Sequence, residues 1–323
     1  MRSSLIAGVR RSPDILISVV LLILIYVVGV VGIPGFGGEQ TFKAVLLLAS
    51  FLGIAAAGQT LVVILGGIDL SIPFVVGAAN VAVAKLYGDG MPFLLATLIS
   101  LIVAGLFGVA NAAISVKSNV HPLIVTLGMG TALLGAVSLW TNGLPSGGSP
   151  AWLTQFVAIG STTGPIPVPP VIFLWLLISV GMVVLLRASI FGRKLYALGN
   201  SPQAAELALV RRLPVWAVSF GASSVLSAVA GVLFLGFTGA AFAGVGQPYL
   251  FLTVGAVVLG GTLITGGRGG YVGTIVGALT ITLLTIVLTG FGLNASLQQV
   301  VMGTVFVGIV AAYGRDAHVR SRV

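Results

Sequence analysis

From Ile15 to Tyr313 the chain alternates long apolar stretches with short polar breaks, and its charges sit almost entirely in the breaks. A helix needs about 20 apolar residues to cross roughly 30 Å of hydrocarbon. Ten stretches meet or approach that length: Ile15–Ile33, Ala44–Leu65, Ile72–Tyr87, Phe93–Val116, Leu123–Thr141, Val171–Arg187, Val215–Thr238, Leu250–Ile264, Tyr271–Gly290 and Ser296–Tyr313. The third and eighth are short and flanked by glycine. The first is too long for the apolar region of a signal peptide and has no small-residue cleavage site before Pro34, so it is expected to stay in the protein. With 58% hydrophobic and 7% charged residues, no single water-soluble core of this size could hide so much apolar surface. Lipid must be the solvent. The expected fold is an all-α integral membrane protein of about ten transmembrane helices, forming a single domain over residues 1–323.

The basic residues orient it. Threading ten spans from a cytoplasmic N-terminus places Arg2, Arg10, Arg11, Lys117, Arg187, Arg193, Lys194, Arg211, Arg212, Arg268, Arg315, Arg320 and Arg322 on the inside, thirteen of the 15 Lys and Arg. Lys43 and Lys85 fall at the outer face, where each can snorkel. An odd number of spans would scatter the positives, so both termini are expected in the cytoplasm. A net charge of +9 distributed in this way belongs to cytoplasmic loops and excludes a nucleic-acid surface. Two loops are long. Residues 142–170 are expected outside, rich in Gly, Pro, Ser and Thr, with Trp152 as an interfacial anchor. Residues 188–214 are expected inside and hold most of the charge found between spans. Val63-Ile64-Leu65-Gly66-Gly67 and Val257-Val258-Leu259-Gly260-Gly261 hint at a repeated unit, as in many transporters.

Much chemistry is missing. The four lysines do not fall in a GxxxxGK[ST] phosphate loop, HExxH and GxSxG are absent, and no cysteine is present. His121 and His318 are far apart, each in a loop or tail, so no catalytic metal site is expected. Asp14, Glu39, Asp89, Glu206 and Asp316 fall in loops or at span ends, leaving Asp69 as the one acid between two apolar stretches. In Gly66-Gly67-Ile68-Asp69-Leu70-Ser71 it is either a polar hinge or pathway residue, or part of an N-cap in which Asp69 or Ser71 accepts a backbone N–H. Gln59, Asn80, Asn111, Ser138, Ser223 and Ser224 add neutral polar groups inside spans. These suit a neutral polyhydroxyl solute, or bond helix to helix. Gln59, Gly67, Asp69, Ser71, Asn80 and Asn111 are therefore the candidates for a translocation pathway or gate. No machinery for ATP hydrolysis and no obvious ion-coupling site emerges, which points to a partner as the energy source.

The inner loop runs Phe191-Gly192-Arg193-Lys194-Leu195-Tyr196-Ala197-Leu198-Gly199-Asn200-Ser201-Pro202-Gln203-Ala204-Ala205-Glu206-Leu207. It is expected to form short helices broken at Gly199-Asn200. Ser201-Pro202 would start the second, with Ala204, Ala205 and Leu207 on an apolar face. Such a helix can dock in a partner's groove.

With these residues in place, the sequence resembles the permease subunits of bacterial ribose-type ABC importers from about Ile15 to Tyr313. Four stretches carry the likeness in order: Gly58 to Ile64 with Gly67 to Ser71; Leu139 to Gly143; Gly192-Arg193 through Ala204-Ala205; and Val258 to Thr262 with Gly266 to Gly269 and Gly273-Thr274. The resemblance implies a channel of two permease subunits, identical or different, in the bacterial cytoplasmic (inner) membrane. It implies cytoplasmic ATPase subunits that hold ATP and Mg and a periplasmic or cell-surface binding protein, with no cofactor on this chain. It also implies an ATPase-coupling loop comprising Gly192, Arg193, Tyr196, Gly199, Asn200, Ala204, Ala205 and Glu206. The implied cargo is a monosaccharide or similar solute. Alternatives are a nucleoside, polyol, furanosyl signal molecule or amino acid, a proton-coupled secondary transporter working through Asp69, and a scaffold without transport. Three positions depart from the family pattern: Pro73 follows Ile72, Glu206 replaces a basic residue, and Leu209 replaces a glycine. Asn200 is free to adopt a left-handed backbone.

Overall fold

A computed structural model describes residues 13–320. Arg2, Arg10, Arg11 and Arg322 lie outside the described residues, as do the side chains of Asp14, Tyr313, Arg315, Asp316, His318 and Arg320. The chain is helical throughout: α1 (Pro13–Gly32), α2 (Glu39–Ile64), α3 (Ile72–Gly88), α4 (Phe93–Lys117), α5 (Pro122–Trp140), α6 (Ala151–Val157), α7 (Pro170–Ala188), α8 (Ile190–Asn200), α9 (Pro202–Leu207), α10 (Arg212–Thr238), α11 (Tyr249–Leu259), α12 (Tyr271–Gly290) and α13 (Ala295–Arg320). A 3-10 turn at Ala243–Gly246 precedes α11. Among the described residues there is no strand, only isolated bridges at Gly148–Ala240 and Thr163–Ile166.

Among the described residues, seven helices are long and apolar enough to cross a bilayer: α1, α2, α4, α5, α7, α10 and α12. The two stretches expected to be short are short. α3 has 17 residues, and α11 has only 11, about 17 Å of helix at 1.5 Å per residue. The expected span to Ile264 therefore ends at Leu259, because the chain reverses there.

That reversal has a twin. After α2, the Gly67 N–H bonds the Val62 carbonyl and the Gly66 N–H bonds that of Val63, with Gly66 at φ +80°. After α11, the Thr262 N–H bonds Val257 and the Gly261 N–H bonds Val258, with Gly261 at φ +83°. Both are Schellman caps, which place a left-handed residue just past the helix and favour glycine there. The repeat is thus a local unit of helix, glycine reversal and helix. Its register differs by one from the sequence likeness: Gly66 corresponds to Gly261, and Gly67 to Thr262.

The bundle is layered by burial. α2 and α10 occupy the middle, with Phe51, Ile54, Leu61, Phe220 and Leu235 fully buried. α1, α4, α5 and α7 surround them and turn large apolar side chains outward, such as Leu94, Leu106, Ile124 and Leu177. An apolar exterior over a small-residue interior is the arrangement expected where lipid is the solvent. Gly58 and Gly108 let α10 come close, since a Cβ at Gly58 would lie 2.5 Å from Cα of Ser223 and one at Gly108 would lie 2.2 Å from the Phe220 carbonyl oxygen. Trp175 of α7 donates to the Tyr271 hydroxyl (3.0 Å), which donates to the Gly53 carbonyl (2.8 Å), pinning α7 and α12 to α2.

The two ends of the bundle differ. At one end a single apolar cluster joins Leu65, Val116, Leu186, Leu195, Val210, Val215 and Tyr271. The sequence-adjacent bases Lys117, Arg187, Arg193, Lys194, Arg211 and Arg212 belong to this end. At the other, Val83, Phe93, Leu153 and Leu235 pack together. Here the loop 142–170 contains α6, and the half-exposed Trp152 packs its ring perpendicular to that of Phe93, with centroids 5.3 Å apart. Lys43 pairs with Glu39 at 2.6 Å and is largely buried; Lys85 pairs with Asp89 at 3.2 Å.

Candidate gate and coupling site

The connection from α2 to α3 is irregular backbone in a buried place, so its N–H groups need partners. They find them in side chains. The Asp69 N–H donates to Oε1 of Gln59 (3.3 Å), that of Leu70 to Oγ1 of Thr126 (3.0 Å), and that of Ser71 to Oδ1 of Asp69 (2.9 Å). The Asp69 carboxylate accepts two further bonds, from the Ser71 hydroxyl to Oδ1 (2.5 Å) and from the Ser223 hydroxyl to Oδ2 (2.7 Å). Nδ2 of Asn111 then donates to Ser71 Oγ at 3.2 Å. One carboxylate thus ties the α2–α3 turn to α10, and through Ser71 to α4. Thr126 ties the same turn to α5. All six side chains are buried, Asp69 at 2% exposure and the others at 0%.

Asp69 belongs to neither ion pair found among the described residues. Three hydrogen-bond donors, and no cation, stabilise its oxygens. Among the described residues, Nε2 of Gln59, Oδ1 of Asn111 and Oγ of Ser224 find no hydrogen-bond partner, leaving neutral donors and acceptors uncommitted in the same seam.

Of the expected pathway residues, Gln59, Asp69, Ser71 and Asn111 come together, and Gly67 shapes the turn that presents them. Asn80 lies apart. It donates to the Gly231 carbonyl and accepts from the Phe242 N–H, holding α3 against α10 and the segment after it. Asp69 accepts the Ser71 N–H within a buried cluster just ahead of α3. It is not the N-cap of α3; Ser71 holds that position, and its side chain receives no capping bond. Ser223 and Thr126 were not among the expected site residues. A signal for Ser223 existed: Ser219, Ser223 and Ser227 recur every four residues, which lines up one polar stripe on α10.

The inner loop folds as α8 and α9. The Ser189 hydroxyl accepts the Gly192 N–H at the start of α8, and the Ser201 hydroxyl accepts the Ala204 N–H at the start of α9, with Pro202 in the first turn. The expected break at Gly199-Asn200 is not there. α8 runs through both residues, and the chain breaks at Ser201, at φ −158° and ψ 101°. Asn200 is helical, and the left-handed residue in this loop is Leu209, at φ +60°.

Gly199 serves close packing instead. A Cβ there would lie 2.0 Å from the Ile64 carbonyl oxygen and 2.7 Å from the Gly267 nitrogen. The Gly267 N–H bonds that same Ile64 oxygen at 2.9 Å. Asn200 Nδ2 donates to the Gly267 carbonyl (3.1 Å), and the Tyr196 hydroxyl to that of Gly269 (2.9 Å). Burial pushes the Tyr196 phenol up, with Arg187 opposing, so the hydroxyl keeps its proton and donates. α8 therefore rests on two glycine turns at once, 64–67 and 265–270, and the first leads within five residues to Asp69.

Gly192 and Ala205 also face inward: a Cβ on Gly192 would lie 2.3 Å from the Leu186 carbonyl, and Ala205 is buried. Arg193, Lys194, Ala204 and Glu206 face outward.

Comparison with known proteins gives a consistent picture. The model of the branched-chain amino acid transport system / permease component family matches residues 41–310. The probable ABC transporter permease protein YphD of Escherichia coli K12 is 33% identical over 279 residues, covering 86% of this chain and 83% of its own. The autoinducer 2 import system permease protein LsrD of Klebsiella pneumoniae is 32% identical over 273 residues, covering 83% and 81%. LsrD of E. coli K12 is 30% identical over a span of the same length. No solved structure matches.

Proposed function

Because the chain belongs to the branched-chain amino acid transport system / permease component family, we propose that it is the membrane subunit of an ATP-driven importer for a monosaccharide or similar neutral polyhydroxyl solute. It crosses the bacterial cytoplasmic membrane ten times, with α3, α11 and α13 completing the seven long spans and both termini inside. The end bearing α8 and α9 faces the cytoplasm, in keeping with the basic residues gathered there. A cytoplasmic ATPase subunit holds ATP and Mg, a second permease subunit completes the channel, and an external binding protein delivers the solute.

The contact of Gly199 with the Ile64 carbonyl carries the proposal. A push on α8 is transmitted through this backbone contact to the end of α2, and from there to the turn holding Asp69. Displacing that turn strains the bonds to Ser223, Asn111 and Thr126, which are what hold the seam between α2, α4, α5 and α10 closed. The buried groups around the seam are amides and hydroxyls beside one carboxylate. That set matches hydroxyl groups better than the paired carboxylate and ammonium of an amino acid, which would require a fixed cation.

Liposomes containing this chain with its ATPase subunit test the proposal. ATP-dependent accumulation of a neutral sugar, competed by excess of that sugar and indifferent to a collapsed proton gradient, is the expected result. Uptake by the chain alone that follows the proton gradient without ATP would replace the importer with a secondary transporter acting through Asp69.

A further inference from the structure

On one flank of the bundle, at the end away from α8 and α9, the helices α4, α6, α7 and α10 do not close on one another. They leave a cavity of about 200 Å³. Its walls include Thr97 and Leu101 of α4, Phe156 of α6, Leu174 of α7, and Val229 and Leu233 of α10. Here α4 and α10 run antiparallel, since Phe93 and Ala96 pack with Val232 and Leu235 while Ala104 packs with Ala228. Leu101 and Val229 therefore lie deeper along the bundle than Thr97 and Leu233. Of these six side chains only Thr97 is polar, a lining that suits neither a sugar nor an ion. Water is also a poor occupant: an engineered apolar cavity of about 150 Å³ stays dry and takes benzene instead.

The mouth identifies what fills it. Leu94 of α4, 74% exposed, and the half-exposed Trp152 of α6 both border the cavity. Leu94 begins the row Leu94, Leu98, Ile102 and Leu106, spaced every four residues and exposed throughout, which is the lipid-facing stripe of α4. The cavity is continuous with that stripe, so it opens sideways into hydrocarbon. Thr97 adds an independent observation. Thr131, Thr253 and Thr280 each donate to the carbonyl four residues back. The Thr97 hydroxyl is buried and finds no partner among the described residues. A buried donor left unmade is costly. Thr97 stands four residues inside the start of α4, about 6 Å along the helix. That is the depth at which a helix leaves a headgroup layer about 5–8 Å thick.

We propose that this cavity holds one acyl chain of a membrane glycerophospholipid, whose ester carbonyl accepts a hydrogen bond from the Thr97 hydroxyl. The ester sits at the level of Thr97, and the chain runs inward past Leu101 and Val229. It thereby reaches α10, the central helix, on the same strand of chain as Ser223. The lipid acts as a wedge between α4 and α10, the two helices that Asn111 and Ser223 tie to the Asp69 turn. The proposal depends on the membrane location of the chain and not on the identity of its solute.

The test uses the full chain, stripped of lipid in detergent and titrated with a diacyl phosphatidylethanolamine or its diether analogue, which lacks the ester carbonyls. Native mass spectrometry reads retained lipid, and thermal unfolding reads its effect. The ester lipid should be retained and raise the thermal midpoint saturably. The ether lipid should bind about threefold to tenfold more weakly, the range for one hydrogen bond. Thr97→Val keeps the shape and should erase the difference between the two lipids. Val229→Phe fills the cavity. It should abolish retention while the lipid-free midpoint stays equal to wild type or rises, which separates loss of the site from loss of the fold. Retention by Val229→Phe equal to wild type overturns the proposal, as does equal binding of ester and ether lipids by the wild-type chain. Lipid that is retained by the isolated chain but absent from the assembled complex would give the cavity to a partner subunit and overturn it too.

Discussion

The Ser223 hydroxyl of α10 donates to the Asp69 carboxylate at 2.7 Å, across 154 residues of chain, and both side chains are buried. It is a direct side-chain bond between the α2–α3 turn and the helix at the centre of the bundle. Removing it leaves a buried carboxylate one donor short. Ser223→Ala should cost about 1.5–3 kcal/mol, the range for hydrogen bonds to charged groups. Thermal unfolding of the detergent-solubilised chain reads this, with Ser227→Ala as comparison, since Ser227 bonds only the Ser223 carbonyl within its own helix. Equal losses in the two variants would remove the bond from its clamping role.

Asp69→Asn keeps the volume but halves the acceptors facing Ser71 and Ser223. Insertion and subunit assembly should survive while ATP-driven uptake falls at least tenfold, because the closed seam loses its shared anchor. Native-level uptake in this variant would show that the turn needs shape at Asp69 and not charge.

Gly199→Ala places a methyl group 2.0 Å from the Ile64 carbonyl oxygen, a backbone atom that cannot swing aside. α8 must lift from both turns. ATPase activity should then lose its dependence on solute while the membrane helices stay folded. Gly181→Ala is the control: nothing lies within 4 Å of its Cβ, and a helical Gly-to-Ala change there should be neutral or stabilising by about 0.5–1 kcal/mol. Solute-stimulated ATPase that is unchanged in Gly199→Ala would separate α8 from coupling.

Glu206 is exposed, and its backbone carbonyl accepts the Leu209 N–H. Glu206→Arg should leave that turn and membrane insertion intact but alter coupling, because it restores the charge usual in the resembled family at the edge of the docking surface. Unchanged transport together with unchanged solute-stimulated ATPase would remove Glu206 from the coupling surface.

Gly66→Ala tests the repeated reversal. At φ +80° an alanine is strained by about 1 kcal/mol, and its Cβ would also approach the Thr265 carbonyl to 3.2 Å. The expected outcome is a lowered thermal midpoint with reduced uptake. A midpoint equal to wild type would mean the turn adapts freely and does not hold Asp69.

Asp69 was legible because a lone carboxylate between apolar stretches violates the pattern around it, and such violations are costly in lipid. Its partners were less so. Asn111 and Gln59 stood out as amides inside spans and Ser223 as one of a serine stripe, but Thr126 is an ordinary helix residue until the bundle brings it to the turn. Gly199 was visible as a glycine and assigned the wrong task. Glycine breaks a helix or lets another backbone approach, and local sequence holds no information on which backbone is near. Leu209 shows the reverse case: a residue that local propensity would exclude from a left-handed turn is held there by the Ala205 and Val210 contacts beneath it.

Composition and hydropathy along the chain were enough for the solvent, the helical class, the approximate helix positions and the clustering of charge in the breaks between them. These follow from composition and period along the chain, and every window of residues contributes to them. That α8 sits on two glycine turns, and that Asp69 is clamped by α10, emerged from the packed bundle alone. Both depend on residues tens to hundreds of positions apart coming within about 3 Å, and that distance is set by how small side chains let helices pack.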